Sequence, residues 1–373
     1  MATTQWRFLL ADLLSNAILA ELQFTNVSFS QALNTAGTFQ GEILLTGLGE
    51  DSNAINATIP GRTAIYAERQ AADGSRTLLY GGIIWNRTYS SATQRLSVTA
   101  REFESYFERR RITTSINFNA VDQLTIAQTL VNNAQAVAGG NIGVIVPTNT
   151  SGVTVSKTYY NYELKSVYSA LLDLSRSTNG FDFNIKASYD GSGNPIKTLY
   201  LNYPQSGTRY SATNPNAPMF ELPAGNIIDY TYPEDGAIAA NTIYAMGAGS
   251  SDGKVIAVST DTTKIAAGWP VLEDSVNYSD ITDTTLLANL AAGQIAAVSY
   301  PPTTLQISVP PTASPVLGTY GVGDDARVRV YDNARFPNGL DATYRITALS
   351  VTVGSESGNS PERVILTLTL PTS

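Results

Sequence analysis

The sequence predicts a mainly β protein with an inserted α+β domain, and three observations carry that prediction. Short runs in which apolar and polar residues alternate fill residues 1–112 and return after residue 303, as expected of strands with one buried face. Between these regions, apolar residues recur at helical spacing. A chain of 373 residues is too long for one ordinary hydrophobic core, so two or three domains are expected.

The first region, residues 1–112, is predicted to be all β. Two apolar runs at 6–10 and 17–24 flank the turn-like sequence DLLSN, which favours a hairpin, while a helix over 9–22 is the alternative. Further strands are predicted at 38–45, 63–69, 82–89 and 95–101. In the last of these, every second residue is apolar, which indicates a strand with one buried face.

The middle region changes to a helical period. The sequence VDQLTIAQTLVNNAQAVAGG has its apolar residues on one stripe, and it begins at a suitable cap, Asp122. A second helix is predicted within YELKSVYSALLDLSRSTNG. The strands FDFNIKASY and KTLYLNY follow on either side of the turn DGSGNP. Residues 113–222 are therefore interpreted as a small α+β domain.

The last region contains one more helix and then further strands. The sequence GNIIDYTYPEDGAIAANTIYAMG, residues 225–247, predicts two strands around a turn. A third helix is predicted at about 283–298, because Pro301 and Pro302 cannot continue it. Strands are then predicted at 305–309, 327–331, 342–353 and 363–370.

The composition excludes several classes of chemistry. The chain has no cysteine and no histidine, so it can form no disulfide, no cysteine-ligated zinc site and no Ser-His-Asp triad. The formal net charge is −8 at a pI of about 4.7, so the surface as a whole does not attract phosphate backbones. Polar residues interrupt the apolar N-terminal run, so neither a signal peptide nor a membrane helix is predicted, and a soluble protein made in the cytoplasm is expected.

A similar series of three strands occurs near both ends of the chain. GRTAIYAER, GGIIWNRTYS and RLSVTAR follow one another in the first region, and DDARVRVYD, DATYRITALSVTVG and RVILTLTL do so in the last. The residue identities of the two series do not match well. The pattern alone is therefore compatible with a duplicated domain and equally with two unrelated β domains.

The order of these segments resembles a known family. LYGGIIWNRTYSSATQRLSVTAREFESYFERR is similar to the first barrel of the central tail hub proteins of long-tailed bacteriophages. TYYNYELKSVYSALLDLSRSTNGFDFNI resembles the helix and strand of their inserted domain, and GVGDDARVRV, YRITALSVTV and VILTLTL resemble their closing barrel. Siphophages of actinobacteria carry such baseplate hubs as minor tail proteins. The resemblance covers most of the chain and lies in the order of the three parts.

The resemblance implies two tail-tube-like β-barrel domains and a smaller helix-containing domain. It assigns residues 1–112 to the first barrel, 113–222 and 249–302 to the insertion, and 223–248 and 303–373 to the second barrel. Three chains would then form a homotrimer whose six barrels match the sixfold tail tube. The implied function is structural: a hub at the distal end of the tail that converts sixfold to threefold symmetry and surrounds the DNA exit channel.

The implied partners are other tail components. They are the distal tail protein or tail-tube ring, the tape-measure protein, and further tail-tip or fibre proteins, with DNA passing through without specific binding. The expected location is the tail tip of the virion. A host-receptor or carbohydrate-binding tail-tip protein is the alternative function, and a tail-associated hydrolase is a third.

Three short sequences could suggest catalysis or metal binding. GDD at 323–325 offers paired carboxylates, but a turn whose carboxylates accept backbone N–H groups is favoured. DGSGNP at 190–195 lacks the closing glutamate of a calcium loop, and GAGSSDG at 247–253 lacks the lysine of a phosphate loop. No catalytic residue, cofactor or metal site is predicted, and the protein is not expected to be an enzyme.

Aromatic side chains are candidates for an interface, since they can stack on sugars or pack against a partner protein. The candidates are Trp85, Tyr89, Tyr159, Tyr160 and Tyr162. For Trp85, packing in the core is equally compatible with the sequence. The polar surroundings of TYYNY predict that this stretch is exposed.

The run FERRRI supplies the basic candidates, Arg109, Arg110 and Arg111. Glutamates at 102, 104 and 108 lie close by in sequence, so an ion-pair cluster that faces a protein neighbour is predicted rather than a DNA contact. The channel wall itself is predicted to carry Asp, Glu, Ser, Thr and Asn in excess over Lys and Arg, because a basic wall would retain DNA.

Overall fold

The computed structural model describes residues 5–47, 51–71, 73–177, 179–210, 216–223, 225–234, 236–279, 281–299, 304–354 and 361–370. Strands make up 45% of it and helices 18%, so the fold is mainly β with several sheets, which confirms the predicted class. The chain divides into two compact units, one within Met1–Leu172, Phe181–Asp229 and Ile307–Ser373, the other within Asp173–Gly180 and Tyr230–Gln306. Within the described ranges, no helix is both long and apolar enough to cross a membrane.

The N-terminal part of the first unit consists of strands and two short helices. They are β1 (Gln5–Asp12), β2 (Ile18–Leu22), β3 (Thr25–Ala32), β4 (Thr38–Leu44), α1 (Asp51–Ala57), β5 (Thr63–Gln70), β6 (Arg76–Ser90), β7 (Arg95–Glu102) and α2 (Glu104–Glu108). β1 and β2 pair antiparallel, so the hairpin prediction is confirmed and the helix over 9–22 is wrong. The sequence did not predict β3, α1 or α2 as separate elements.

The middle of the first unit contains helices and small sheets. Its elements are β8 (Ile116–Asp122), α3 (Gln123–Ala136), β9 (Val144–Ile145), β10 (Thr154–Tyr159), α4 (Val167–Ser175), β11 (Asp182–Tyr189), β12 (Pro195–Asn202) and β13 (Met219–Leu222). Asp122 caps α3 as predicted, because its Oδ1 accepts hydrogen bonds from Leu124 N at 2.9 Å and Thr125 N at 3.4 Å. Leu164 belongs to the segment YELKSVYSALLDLSRSTNG in which the second helix was predicted, but it lies outside α4 at a φ of 46°, which no α-helix accommodates.

A short strand, β14 (Asp229–Thr231), lies where the chain passes into the second unit, whose core is a small sheet with a helix. The elements of that unit are β15 (Thr242–Met246), β16 (Ile256–Thr260), α5 (Thr262–Ala266), β17 (Glu273–Asn277) and α6 (Thr284–Val298). The strands lie in the order β16-β15-β17, and Leu287 and Leu290 of α6 share a core with Ile243 and Ala245 of β15. The third helix is thus confirmed, whereas the sequence had assigned β15 to the second barrel.

The C-terminal strands return to the first unit and join its sheet. They are β18 (Leu305–Val309), β19 (Asp325–Asp332), β20 (Phe336–Thr352) and β21 (Arg363–Thr369). β20 pairs antiparallel with β3, which gives the order β18-β21-β20-β3-β4-β7-β6-β5-β1-β2. β13, assigned from the sequence to the insertion, pairs parallel with β19 instead.

The two similar strand series of the sequence form two similar meanders. β5, β6 and β7 pair antiparallel in sequence order, and so do β19, β20 and β21. In each meander the middle strand is long, 15 residues in β6 and 17 in β20, and its register shifts against both neighbours. The two meanders thus share their strand order, a long middle strand and register shifts on both sides of it.

An aromatic cluster fills the core behind the N-terminal strands. The rings of Phe8 and Phe24 lie 5.4 Å apart, those of Phe24 and Phe39 5.7 Å, and those of Phe39 and Tyr80 5.6 Å, mostly edge to face. Since these side chains come from β1, β4, β6 and the residues before β3, the cluster fixes which face of each strand points inward. The opposite face is left for solvent or for partners.

Candidate functional site

Trp85 and Arg109 form one partly exposed contact. Trp85 lies on β6 where the register shifts between Ile84 and Asn86, and its Nε1 donates to Ser105 Oγ at 2.8 Å. The guanidinium carbon of Arg109 lies 5.6 Å from the centre of the indole ring, within cation–π range. Tyr89, at the end of the same strand, is exposed. These three predicted interface residues therefore present an aromatic and cationic surface on the first unit.

The other two arginines of the run have different environments. Arg110 is half-buried, and its Nη2 donates to Ala134 O at 3.0 Å, which ties the end of α2 to α3. Arg111 is exposed and forms an isolated bridge with Ser166. Arg109 and Arg111 are thus accessible to a partner, whereas Arg110 is held within the chain.

The predicted ion-pair cluster with the neighbouring glutamates is wrong, because these glutamates have other partners. Glu108 binds Arg101 in a bidentate pair at 2.6 and 2.7 Å. Glu102 and Glu104 are buried, Glu102 accepting from Gly37 N at 2.7 Å and Glu104 from Ile185 N at 2.5 Å.

The buried pair predicts a pH dependence of stability. Burial raises the pKa of Glu104 from 4.5 to about 7, against the opposing hydrogen bond from Ile185 N. The folded protein therefore binds more protons than the unfolded chain between these pH values, and its stability falls as the pH rises through them. Between pH 4.5 and 8, we expect the free energy of unfolding of the wild type to fall by about 2–3 kcal/mol because of Glu104, and Glu104→Gln to remove that decrease. Urea unfolding at a series of pH values measures both. Equal slopes in the wild type and the variant would contradict this.

The TYYNY stretch divides between the core and the surface. Tyr159 ends β10 and is only 1% exposed, with its ring edge-on to Phe118 at 6.3 Å, so its prediction as an interface residue is wrong. Tyr160 and Tyr162 are 43% and 73% exposed, and their rings stack at 5.1 Å and 17°. The exposed aromatic part of the stretch is therefore this tyrosine pair.

A surface that the sequence analysis did not single out extends across the large sheet. Its strands β20, β3, β4, β7 and β6 turn small polar residues outward at alternate positions. We call it the hydroxyl face; it consists of Ser350, Thr352, Ser28, Ser30, Thr38, Gln40, Ser97, Thr99, Asn86 and Thr88. Ser350 pairs with Ser30, whose Oγ lies 3.1 Å from Thr38 Oγ1. The residues between them, such as Phe29 and Phe39, are buried on the other side.

Charged residues also lie on the hydroxyl face, Arg101 beside Thr38 and Glu42 beside Ser97, and they form ion pairs. Arg95 Nη1 lies 3.2 Å from Glu42 Oε2, and Arg363 Nη2 lies 2.6 Å from Asp229 Oδ2. Arg101 forms its ion pair with Glu108. Paired charges of this kind leave little net field at the surface. The alternation of Ser, Thr and Gln in β4 and β7 was visible in the sequence, but the neighbouring strands that extend the face were not.

The aspartates of the sequences considered as metal sites accept hydrogen bonds from backbone N–H groups. Asp324 accepts hydrogen bonds from Thr208 N at 2.7 Å and Gly321 N at 2.8 Å, so the turn interpretation of GDD is confirmed. In DGSGNP, Asp190 Oδ1 accepts from Ser192 N and Asn194 N, both at 2.8 Å, as a hairpin turn requires. Among the described residues, no group of three or more acidic side chains is placed to hold a metal ion.

Comparison with known proteins shows what kind of fold this is. No family model and no curated protein matches the sequence. A tail protein from Neisseria meningitidis MC58 has a TM-score of 0.59 at 15% identity, over 97% of this chain and 96% of that one. The 43 kDa tail protein of prophage MuSo2 from Shewanella oneidensis also scores 0.59, at 14% identity over 98% and 99%. A chain of a Francisella PdpA–VgrG complex scores 0.56 at 8% identity, over 100% of this chain and 59% of that one.

These likenesses define the class by fold. The chain has the fold of phage tail proteins, and the match to two of them covers 97% and 98% of this chain and 96% and 99% of theirs. The resemblance found in the sequence is thereby confirmed at the level of fold.

Proposed function

We propose that the protein is a structural component of a phage tail tip, where three copies form the hub that surrounds the DNA exit channel. The observation that carries the proposal is the extent of the structural match, which includes the strand sets and the insertion together in two tail proteins of nearly the same length. A shared single domain would support only a common module. A shared complete architecture supports a common role in assembly.

The two meanders support two tail-tube-like barrels per chain. Each has a long middle strand with a register shift on both sides, although their sequences have diverged. Two similar barrels in each of three chains would present six similar surfaces to a sixfold tail tube and three to the tip. The proposed neighbours are accordingly a distal tail protein or tube ring on one side, and the tape-measure, tip or fibre proteins on the other.

The hydroxyl face is the proposed channel wall. A DNA exit channel needs a surface that does not bind phosphate, since each phosphate neutralised by a basic side chain adds affinity through counterion release. The hydroxyl face combines uncharged side chains with paired charges. Trp85, Tyr89, Arg109 and Arg111 are proposed to face neighbouring proteins instead.

The alternative, a carbohydrate-binding tail-tip protein, is favoured by one feature, the exposed pair Tyr160 and Tyr162. Tyrosine faces stack on sugar rings. Because these two rings already stack on each other, only their outer faces remain for a ligand. A catalytic role has no comparable support, since the acidic turns bind backbone N–H groups.

The test is the number of copies around the axis of the assembled tail. We expect cryo-electron microscopy of intact particles to show three copies at the tip, each contributing two β domains to a ring. Six copies at that level would contradict the proposal of two barrels per chain. Absence of the protein from the tail, checked with gold-labelled antibodies, would contradict the structural role itself.

A further inference from the structure

A pocket in the first unit lies where distant parts of the chain meet. It has a volume of about 190 Å³, and its walls are β6, β11, the ends of β3 and β7, and the loop 318–322. A volume of this size holds several water molecules or one side chain. The pocket is separate from the hydroxyl face and from the Trp85–Arg109 contact.

Several residues that line this pocket have buried polar side-chain oxygens without a hydrogen-bond partner among the described residues. They are Tyr80, Asn184 and Tyr320. A fourth such oxygen, Oε2 of Glu104, lies two residues from the lining residue Glu102. Buried polar atoms are nearly always paired, so such a group of atoms indicates a missing ligand or bound water.

Glu102 gives the pocket its charge. Its Oε1 accepts from Gln31 Nε2 at 3.1 Å and its Oε2 from Gly37 N at 2.7 Å, which leaves a lone pair on each oxygen. Burial, and then the neighbouring charge of Glu104, hold the pKa of Glu102 well above its usual range. The cations that act on this acidic pair are Lys186 and Arg101. Lys186 of β11 is exposed and also lines the pocket, whereas Arg101 is already bound to Glu108. Tyr80 is the other titratable group that faces the pair, and burial raises its pKa as well.

We propose that this pocket, lined by Glu102, Asn184 and Tyr320, binds a guanidinium group, supplied by an arginine of a neighbouring polypeptide or by a small arginine-like molecule. A guanidinium is planar, carries five N–H donors and accepts none. The Glu102 carboxylate, the Asn184 amide oxygen and the lone pairs of the tyrosine hydroxyls can all accept hydrogen bonds from it. Its charge also compensates a buried carboxylate whose ionised form the protein disfavours. The inference rests on this pocket alone and does not depend on the role in a tail.

The first test compares probes by isothermal titration calorimetry of the full chain. We expect acetyl-Gly-Arg-Gly-amide to bind at pH 8, and the same peptide with citrulline in place of arginine to bind at least about tenfold more weakly, since a charged hydrogen bond is lost. Binding of the arginine peptide weakens about tenfold or more at pH 5.5, because a protonated Glu102 no longer attracts the cation. Methylguanidinium distinguishes the two sources: affinity equal to that of the peptide indicates a small molecule, and much weaker binding indicates a polypeptide.

Two substitutions on β6 provide a matched pair. Thr77 lines the pocket and is exposed, so Thr77→Trp should block the entrance and lower affinity at least about tenfold. Thr88 is exposed on the same strand outside the pocket, so Thr88→Trp should bind as the wild type does. Glu102→Gln, which keeps an acceptor for Gly37 N, should lose the preference for arginine over citrulline. Equal affinity for both peptides, binding by neither, or only ordered water in a crystal soaked with the arginine peptide would overturn the proposal.

Discussion

Replacing Asp182 by alanine should lower the free energy of unfolding of the first unit by about 3–5 kcal/mol, the cost of breaking a buried ion pair. Asp182 lies on β11 and pairs with Arg345 of β20, and both side chains are nearly buried. Asp182 also accepts from Asn34 Nδ2 at 3.1 Å and from Ser206 N at 2.7 Å. One carboxylate therefore joins the insertion to the N-terminal and the C-terminal strands.

The large effect depends on what remains after the substitution. Among the described residues, the guanidinium of Arg345 would keep the carbonyl oxygens of Gly323 and Ser206, at 3.3 and 3.2 Å, but no counter-charge. The double substitution Asp182→Leu with Arg345→Met removes both charges and should recover at least half of the loss. The single substitutions Asp182→Leu and Arg345→Met complete a double-mutant cycle. A coupling free energy near zero in this double-mutant cycle would contradict the structural reason given.

The measurement is urea unfolding followed by the fluorescence of Trp6 and Trp85, in a Trp269→Phe background so that the signal reports only the first unit. The matched control is the bidentate pair of Arg327 with Asp341, at 2.7 and 2.8 Å but 34% and 48% exposed. Asp341→Ala should cost less than about 1 kcal/mol, because solvent screens an exposed pair.

Most strands could be predicted because their alternation is local. β7 and β21 show it residue by residue, and their predicted bounds differ from the observed ones by one residue. β3 was not predicted, because its sequence TNVSFSQA contains only two large apolar residues, Val27 and Phe29, and so shows little alternation. The fold class, the three long helices and the first hairpin follow from the same local signals.

The sequence-based predictions that were wrong concern residues whose surroundings depend on distant contacts. Tyr159 and Tyr160 are adjacent, and a strand points such neighbours to opposite sides, but only the packing of Phe118 decides which side is inside. Glu102 and Glu104 were predicted to form ion pairs with the arginine run, because their actual partners, Gly37 N and Ile185 N, come from remote segments. The pairing of β20 with β3, which extends the hydroxyl face, joins residues more than 300 positions apart and leaves no local signal.

Adding arginine to the hydroxyl face, the proposed channel wall, should make this face retain DNA. Gln40 of β4 and Thr99 of β7 are directly paired and exposed, so Gln40→Arg with Thr99→Arg places two cations side by side without disturbing the core. If this face lines the channel, three chains would add six charges around passing DNA. Each phosphate they neutralise steepens the salt dependence of binding by about 0.9 in log K against log salt concentration.

The readout is DNA release from particles that carry the variant. We expect particles with the double substitution to assemble normally and to release DNA at least about tenfold more slowly at low salt, with the rate recovering as salt is raised. Thr148→Arg with Thr150→Arg adds the same charge at exposed positions outside the face, and should leave release unchanged. Equal release from the two variants would show that the hydroxyl face does not line the channel. A defect that high salt does not relieve would point to a damaged hub, because screening weakens electrostatic retention but repairs no assembly fault.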